Sequence, residues 1–159
     1  MTRPIMKELS LEAYSDTSIL NSVAANLDNM DFKKVKTKYA KGGWDALSLH
    51  GYGNHPLDIL KPGVLKSSVN IDTKLQWTTL SVITTMKPIL GMLKKLPCEF
   101  ERVRFMRLEA GKVIGKHSDK IDKEIGFDDG DIIRIHMPIR TNDNVVFTLY
   151  ENTKDKDGT

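Results

Sequence analysis

The strongest constraint on the fold of this chain is an alternation of apolar and polar side chains near its C-terminal end. Successive side chains of an extended chain point to opposite faces, so residues 132–140 are predicted to form a strand with one apolar face and one mainly cationic face. The apolar positions are Ile133, Ile135, Met137 and Ile139, and the positions between them are Arg134, His136, Pro138 and Arg140. Since a strand needs hydrogen-bonded neighbours, the pattern predicts a sheet in this half of the chain.

Three further stretches in the same half have the composition of strands. They cover residues 100–108, 112–119 and 145–150, and Ala110-Gly111, an acidic loop at 127–131 and residues 141–144 separate the predicted strands. Upstream, residues 33–41 and 44–52 also read as strand, whereas residues 62–72 read as a connection.

Two helices are predicted before these C-terminal strands. The first begins at the cap-forming residues Ser15, Asp16 and Thr17. Its apolar stripe at helical spacing consists of Ile19, Leu20, Val23, Ala24 and Leu27. The second covers residues 88–95 and opens with Pro88, because proline is favoured at the first helical position. Helices followed by antiparallel strands predict an α+β fold with a β-sandwich or jelly-roll half.

Composition limits the classes of protein to consider. A chain of 159 residues with 40% hydrophobic and 28% charged residues fits one globular domain. The net charge of +3 does not by itself argue for a nucleic-acid partner, and no apolar run approaches the length of a membrane span. The single cysteine, Cys98, cannot form an internal disulfide, and the N-terminus lacks the apolar stretch of a signal peptide. We therefore expect a cytoplasmic protein.

Lysines are dense in one short part of the chain, at positions 33, 34, 36, 38 and 41. Lys34, Lys36 and Lys38 alternate with Val35 and Thr37, which predicts a strand with one solvated face. A solvated edge strand, on which lysine discourages pairing with other chains, is favoured over a phosphate-binding stripe.

The candidate for chemistry is the tripeptide His117-Ser-Asp119 at the end of a predicted strand. Residues two apart in extended chain face the same side, so the imidazole and the carboxylate can reach one ion. With a second imidazole they would form the facial triad of non-haem iron(II) sites, which leaves coordination positions open. In a solvated sheet the cationic face would simply face water. If it instead lines the interior near His117, Arg134 and His136 offer a fork and a further donor for a carboxylate.

The ordered run of these elements resembles the aspartyl/asparaginyl β-hydroxylase family. The resemblance covers about residues 99–150: an Arg-rich strand from Arg102, a glycine turn, His117-Ser-Asp119, the Arg134-Ile-His136 strand followed by Thr-Asn142, and an apolar strand at 145–149. Residues 44–51 and 91–97 match the looser upstream pattern of the family.

The resemblance implies a double-stranded β-helix, of jelly-roll or cupin type, flanked by the N-terminal helices. It also implies an iron(II)- and 2-oxoglutarate-dependent dioxygenase that hydroxylates an amino acid or a peptidyl Asp, Asn or Pro-type residue with dioxygen. His117 and Asp119 would be the catalytic metal ligands, and Arg134 and His136 would bind a 2-oxoglutarate carboxylate. The segment around residues 44–52 would approach the mouth of the site, which makes Trp44 and His50 candidates for substrate contact, although core packing is favoured for Trp44.

The sequence departs from the family pattern at its C-terminal end. In the family a second metal-binding histidine lies well downstream of the Thr-Asn segment, and no histidine follows His136 here. We therefore expect residues 1–159 to form a single oxygenase domain without its last strands. His136 is a conceivable substitute ligand, whereas His50 and His55 are better read as substrate-contacting or surface residues.

Two other functions stay open at the level of sequence. One is a non-catalytic module that binds 2-oxoglutarate or metal but has lost the third metal ligand. The other is a metal-free adaptor that holds an acidic partner on its lysine-rich strand. For the enzyme, the expected partner is a small-molecule or peptidyl amino-acid substrate, with neither nucleic acid nor membrane involved; the sequence does not indicate an oligomeric state.

Overall fold

A computed structural model describes residues 16–38, 40–59, 74–117 and 133–150. Helix α1 (Thr17–Leu27) begins where it was predicted, because the carboxylate of Asp16 accepts hydrogen bonds from the backbone N–H groups of Ser18 and Ile19 at 2.8 and 3.3 Å. These bonds, with one from the Ser18 hydroxyl, lower the pKa of Asp16. The helix buries Leu20, Val23 and Ala24, all members of the predicted apolar stripe.

The centre of the fold is one long strand, β2 (Ala40–Tyr52), in a four-stranded antiparallel sheet. Strand β1 (Lys33–Thr37) pairs with the first half of β2, and β3 (Leu75–Trp77) pairs with its last residues along the same edge. Strand β4 (Val103–Arg107) pairs with residues 45–50 of β2 on the opposite edge. Lys33, Lys34 and Lys36 thus lie on an edge strand, as predicted, since among the described residues β1 pairs with β2 alone. The strand ends earlier than predicted, however, and Lys41 belongs to β2.

Both faces of β2 are covered. The larger core lies on one face, where Leu47, Leu49 and Phe105 pack with Val23 of α1 and Met86. A smaller cluster on the other face contains Ala40, Trp44 and Ala46, with Val35, Ile59 and Ile114 packed against it. An internal strand with both faces covered explains why residues 44–52 are almost entirely buried, although their sequence mixes apolar and polar residues.

The connection from β3 to β4 is helical. Two short 3₁₀ turns, Thr79–Val82 and Thr84–Met86, lead into helix α2 (Lys87–Leu93), which has Pro88 in its first turn. Helix α2 lies close to the predicted position and buries Ile89, Met92 and Leu93, of which Ile89 and Leu93 belong to the larger core. Strand β3 was not predicted, and its three residues are too few to show an alternating pattern.

The C-terminal strands are the main difference from the sequence prediction. Strand β4 confirms the stretch predicted at 100–108, but in the described part of 112–119 only Ile114 makes a β-bridge, with Ala40. Within residues 133–150 no strand forms, so the predictions at 132–140 and 145–150 are wrong for the residues described there. Ile133 and Val146 are 80% and 82% exposed. An alternating sequence makes a strand possible, but the strand forms only where a neighbour supplies the ladder.

The described residues therefore form an α+β structure of mixed helices and antiparallel sheet. This agrees with the predicted class, while the double-stranded β-helix stays a prediction. The part of residues 62–72 predicted as connection lies outside the described residues. None of the helices in the described parts of the chain has the length and apolar character needed to cross a membrane.

Candidate metal centre

The segment that carries His117 is tied to the start of β2. After β4 the chain turns at Gly111, whose φ of +75° suits glycine, and the N–H of Lys112 donates to the carbonyl of Glu109 at 3.1 Å. The returning chain forms the antiparallel bridge between Ile114 and Ala40. Ile114 also packs against the cluster that contains Trp44. His117 follows three residues later and is exposed.

The imidazole of His117 has a hydrogen bond that bears on metal binding. Its Nδ1 lies 2.8 Å from the backbone carbonyl oxygen of Gly115. A carbonyl only accepts, so the bond forms when Nδ1 carries the proton, and the neutral ring then has its lone pair on Nε2. Histidines that bind metals commonly donate their other ring N–H to a backbone carbonyl in this way, which fixes the tautomer and the orientation of the ring. The local geometry of His117 therefore fits a metal ligand.

The partner predicted for His117 lies outside the described residues, because the description stops at His117 and resumes at Ile133. The position of Asp119 relative to the imidazole stays a prediction. Within the described ranges no group of three His, Cys, Asp or Glu side chains is arranged to hold a metal ion.

Arg134 and His136, the predicted cosubstrate residues, both lie in the described part of the chain and are exposed. The His136 ring contacts Phe147, with centroids 5.3 Å apart and planes inclined by 52°. Further along the same segment, Tyr150 lies under the ammonium group of Lys116, whose Nζ is 4.4 Å from the ring centroid. Residues 147–150 therefore contact both His136 and Lys116, the residue before His117.

The segment with Arg134 and His136 is attached to the rest of the fold at its far end. Ile139 packs against the larger core, and Arg140 forms a two-pronged ion pair with Asp28 at the end of helix α1. The two N–O distances are 2.8 and 2.9 Å, the fork geometry in which arginine binds carboxylates. Arg140 lowers the pKa of Asp28 chiefly through this hydrogen bonding.

The two candidates for substrate contact lie in β2 and are largely buried. Trp44 is 8% exposed and packs against Val35, Ile59 and Ile114, so its indole supports the chain that leads to His117. His50 is also 8% exposed; its Nδ1 lies 3.0 Å from the carbonyl oxygen of Glu101, and its ring centroid lies 4.7 Å from that of Trp77. Burial lowers the pKa of His50, and the bond to Glu101 raises it in part.

A charged contact near the centre of the sheet was not foreseen from the sequence. Asp45, whose side chain is 9% exposed, accepts hydrogen bonds on Oδ2 from Nη2 and Nε of Arg107 at 3.1 and 3.4 Å. The guanidinium carbon of Arg107 also lies 4.2 Å from the ring centroid of Phe32, a cation–π contact. The sequence carried one signal for this contact. Asp45 lies between Trp44 and Ala46 in a predicted strand, and a buried carboxylate requires a partner.

Comparison with known proteins supports the resemblance seen in the sequence. The family model for aspartyl/asparaginyl beta-hydroxylase matches residues 15–156, which is most of the chain. This chain therefore belongs to the aspartyl/asparaginyl β-hydroxylase family, a family of hydroxylases. No curated protein and no solved structure gave a match.

Proposed function

We propose that this protein is an iron(II)- and 2-oxoglutarate-dependent dioxygenase that hydroxylates an amino acid or a peptidyl Asp, Asn or Pro-type residue. Membership of the hydroxylase family gives the reaction class. The observation that carries the proposal is the hydrogen bond from Nδ1 of His117 to the Gly115 carbonyl, because it holds the ring in the tautomer that a metal-binding histidine uses.

In the proposed site His117 and Asp119 would hold the ion. Iron(II), with 2-oxoglutarate and dioxygen, would supply the conversion of a substrate C–H bond to C–OH, with release of succinate and carbon dioxide. The Arg134 guanidinium would bind a 2-oxoglutarate carboxylate, and His136 would donate a further hydrogen bond to that carboxylate. These contacts fix the orientation of the cosubstrate, which is the main contribution of a protein to such chemistry.

The packing of the described residues supports a rigid base for His117. Trp44 and Ile114 pack in the same cluster, and the bridge from Ile114 to Ala40 fixes the chain three residues before the imidazole. Ligands on a packed element are held more precisely than ligands on a mobile loop. Trp44 thus acts on the site by supporting the segment that leads to His117. His50 is buried, and its Nδ1 is hydrogen-bonded to the backbone carbonyl of Glu101. It would contact the substrate only if the substrate reaches its other ring nitrogen, Nε2.

The deciding experiment measures succinate formed from 2-oxoglutarate in the presence of iron(II), oxygen and candidate substrates. His117→Ala and Asp119→Ala are expected to abolish turnover. A matched variant, Asp143→Ala, removes an exposed acid elsewhere and is expected to retain it. Equal succinate production by the wild type and both site variants would refute the assignment of the metal ligands.

His136 needs a separate test, because a cosubstrate contact and a recruited metal ligand predict different results. If His136 binds 2-oxoglutarate, His136→Ala weakens the affinity for 2-oxoglutarate and leaves iron(II) binding unchanged. If it completes the facial triad, the same variant weakens iron(II) binding directly. Titrations with each ligand, followed by thermal unfolding, distinguish the two.

The same titrations test the alternative of a non-catalytic module. Stabilisation by 2-oxoglutarate without succinate, across a panel of free amino acids and peptides, would favour a binding protein over an enzyme. No thermal shift with metal and cosubstrate together would argue against both functions.

A further inference from the structure

We infer that the lysines of the β1–β2 hairpin form a docking surface for an acidic peptide segment. The hairpin lysine surface is defined here as Lys34, Lys36, Lys38 and Lys41 of the hairpin together with Lys112. All five residues are exposed in the structure. Docking of the peptide does not depend on the proposed function. Only the further step, that a docked peptide is the substrate, rests on it.

The first step is the distribution of charge along the hairpin. Residues 33–44 contain five lysines and no acidic residue, although the whole chain carries 21 acidic residues against 24 basic ones. The acid nearest in register is Asp45, which lies opposite Lys34 in the sheet. The carboxylate of Asp45 is buried and bonded to Arg107 on the other edge of β2, so it is already paired with a cation. The hairpin therefore presents a surface of one sign.

The second step is that the chain returning from β4 adds to this surface. Nζ of Lys112 lies over Gly42, only 2.9 Å from the position where a side-chain carbon on that glycine would begin. Ile114 then bridges to Ala40 at the start of β2. Lys112 thus adds one ammonium group to the four hairpin lysines of this surface, on the segment that reaches His117 five residues later.

The third step is the shape of the surface. Val35 packs inward against the Trp44 cluster, so Lys34 and Lys36 project from the other face of β1. Among the described residues β1 has β2 as its only strand neighbour. The edge lysines discourage pairing with most chains, but carboxylates on an incoming chain would neutralise them, so the outer backbone edge can accept an acidic extended chain. An extended peptide with carboxylates at alternate positions fits both the edge and the lysine spacing. The favoured occupant is therefore an acidic peptide.

The experiment measures binding of a fluorescein-labelled peptide of alternating Glu and Ser to the full chain by fluorescence anisotropy. A peptide of alternating Gln and Ser and a single-stranded oligothymidylate serve as comparison probes. The wild type is expected to bind the Glu peptide more tightly than either probe. Raising the salt concentration from about 0.05 to about 0.5 M is expected to weaken that binding by tenfold or more, because exposed charges are screened.

A triple variant, K36Q/K38Q/K41Q, is expected to weaken binding of the Glu peptide about tenfold. The matched control K87Q/K94Q/K95Q removes the same number of exposed lysines from α2 and the residues just after it, and should bind like the wild type. A third variant, K36R/K38R/K41R, keeps the charges and is expected to retain binding. Thermal unfolding of all three variants checks that they are folded.

Equal losses in the hairpin and helix variants would overturn the inference, because net charge alone would then account for binding. Tighter binding of the oligothymidylate than of the Glu peptide would overturn the choice of an acidic peptide, and so would no binding of the Glu peptide at all. Because binding is measured without iron(II) or 2-oxoglutarate, it is independent of turnover. Succinate formation by the same preparations separately tests the proposed function.

Discussion

Three glycine-to-alanine substitutions test the backbone geometry around the site. Gly43 and Gly111 have nearly the same positive φ, +74° and +75°, whereas Gly91 lies inside helix α2. A side-chain carbon at Gly43 would lie 2.6 Å from the carbonyl oxygen of Val35 in β1, but one at Gly111 or Gly91 would have nothing within 4 Å. The three sites therefore separate backbone strain, steric overlap and helix propensity.

The expected magnitudes follow from these differences. Gly111→Ala should lower the free energy of unfolding by about 1 kcal/mol, the cost of a left-handed conformation for a residue with a side chain. Gly43→Ala carries the same cost and must also push β1 away from β2, which adds about 1–3 kcal/mol. Gly91→Ala should raise the free energy of unfolding by about 0.5–1 kcal/mol, because alanine loses less backbone entropy in a helix.

Urea unfolding, followed by far-UV circular dichroism, gives the free energy of unfolding of each variant from the midpoint and slope. If Gly43→Ala and Gly111→Ala lowered the free energy of unfolding by similar amounts, the close approach of the Val35 carbonyl to Gly43 would be refuted. A loss of stability in Gly91→Ala would contradict the helix around that residue.

Further predictions concern the charged and titratable contacts. Burial lowers the pKa of His50 from 6.5, so the unfolded chain binds a proton on this ring at higher pH than the folded protein does. The free energy of unfolding should therefore fall as the pH drops below about 6.5. His50→Gln should reduce that fall, as measured by urea unfolding at several pH values. Asp45→Ala should cost about 0.5–1 kcal/mol in the same assay, because Arg107, which is partly exposed, loses its carboxylate partner, and a gain in stability would contradict the pairing. Asp28→Asn should lower the free energy of unfolding slightly in the same assay, and exchanging the charges as Asp28→Arg with Arg140→Asp should partly restore it; equal stability of all variants would contradict the ion pair.

Local features of the fold were predictable from the sequence. The cap at Asp16 and the stripe that includes Leu20 and Val23 lie within one helix, so neighbouring residues were enough to define it. Pro88 marked the first turn of α2 for the same reason. Lysines at alternate positions indicated the edge strand β1, because the solvated face of a strand is recorded directly in its sequence.

Contacts between distant parts of the chain were not predictable. Asp45 and Arg107 are 62 residues apart and meet only because β2 and β4 pair in one register, in which these two residues are opposite each other. Arg140 was predicted to share the face of Arg134, yet it binds Asp28, 112 residues away. Neither partner can be read from an alternating pattern, which tells which face a residue occupies but not what lies against that face.

The sequence by itself determined the family, the α+β class and the identity of His117 as a candidate ligand, because these depend on the order and spacing of residue types. Tertiary structure decided that Ile114 pairs with Ala40, that the chain leading to His117 lies on the Trp44 cluster, and that Lys112 joins the hairpin lysines. It also decided that residues 133–150, despite their alternation, form no ladder in the described structure. The physical reason is the same in each case: the hydrogen bonds of a sheet and the packing of a core are made between segments, and a segment alone specifies only its own half of each contact.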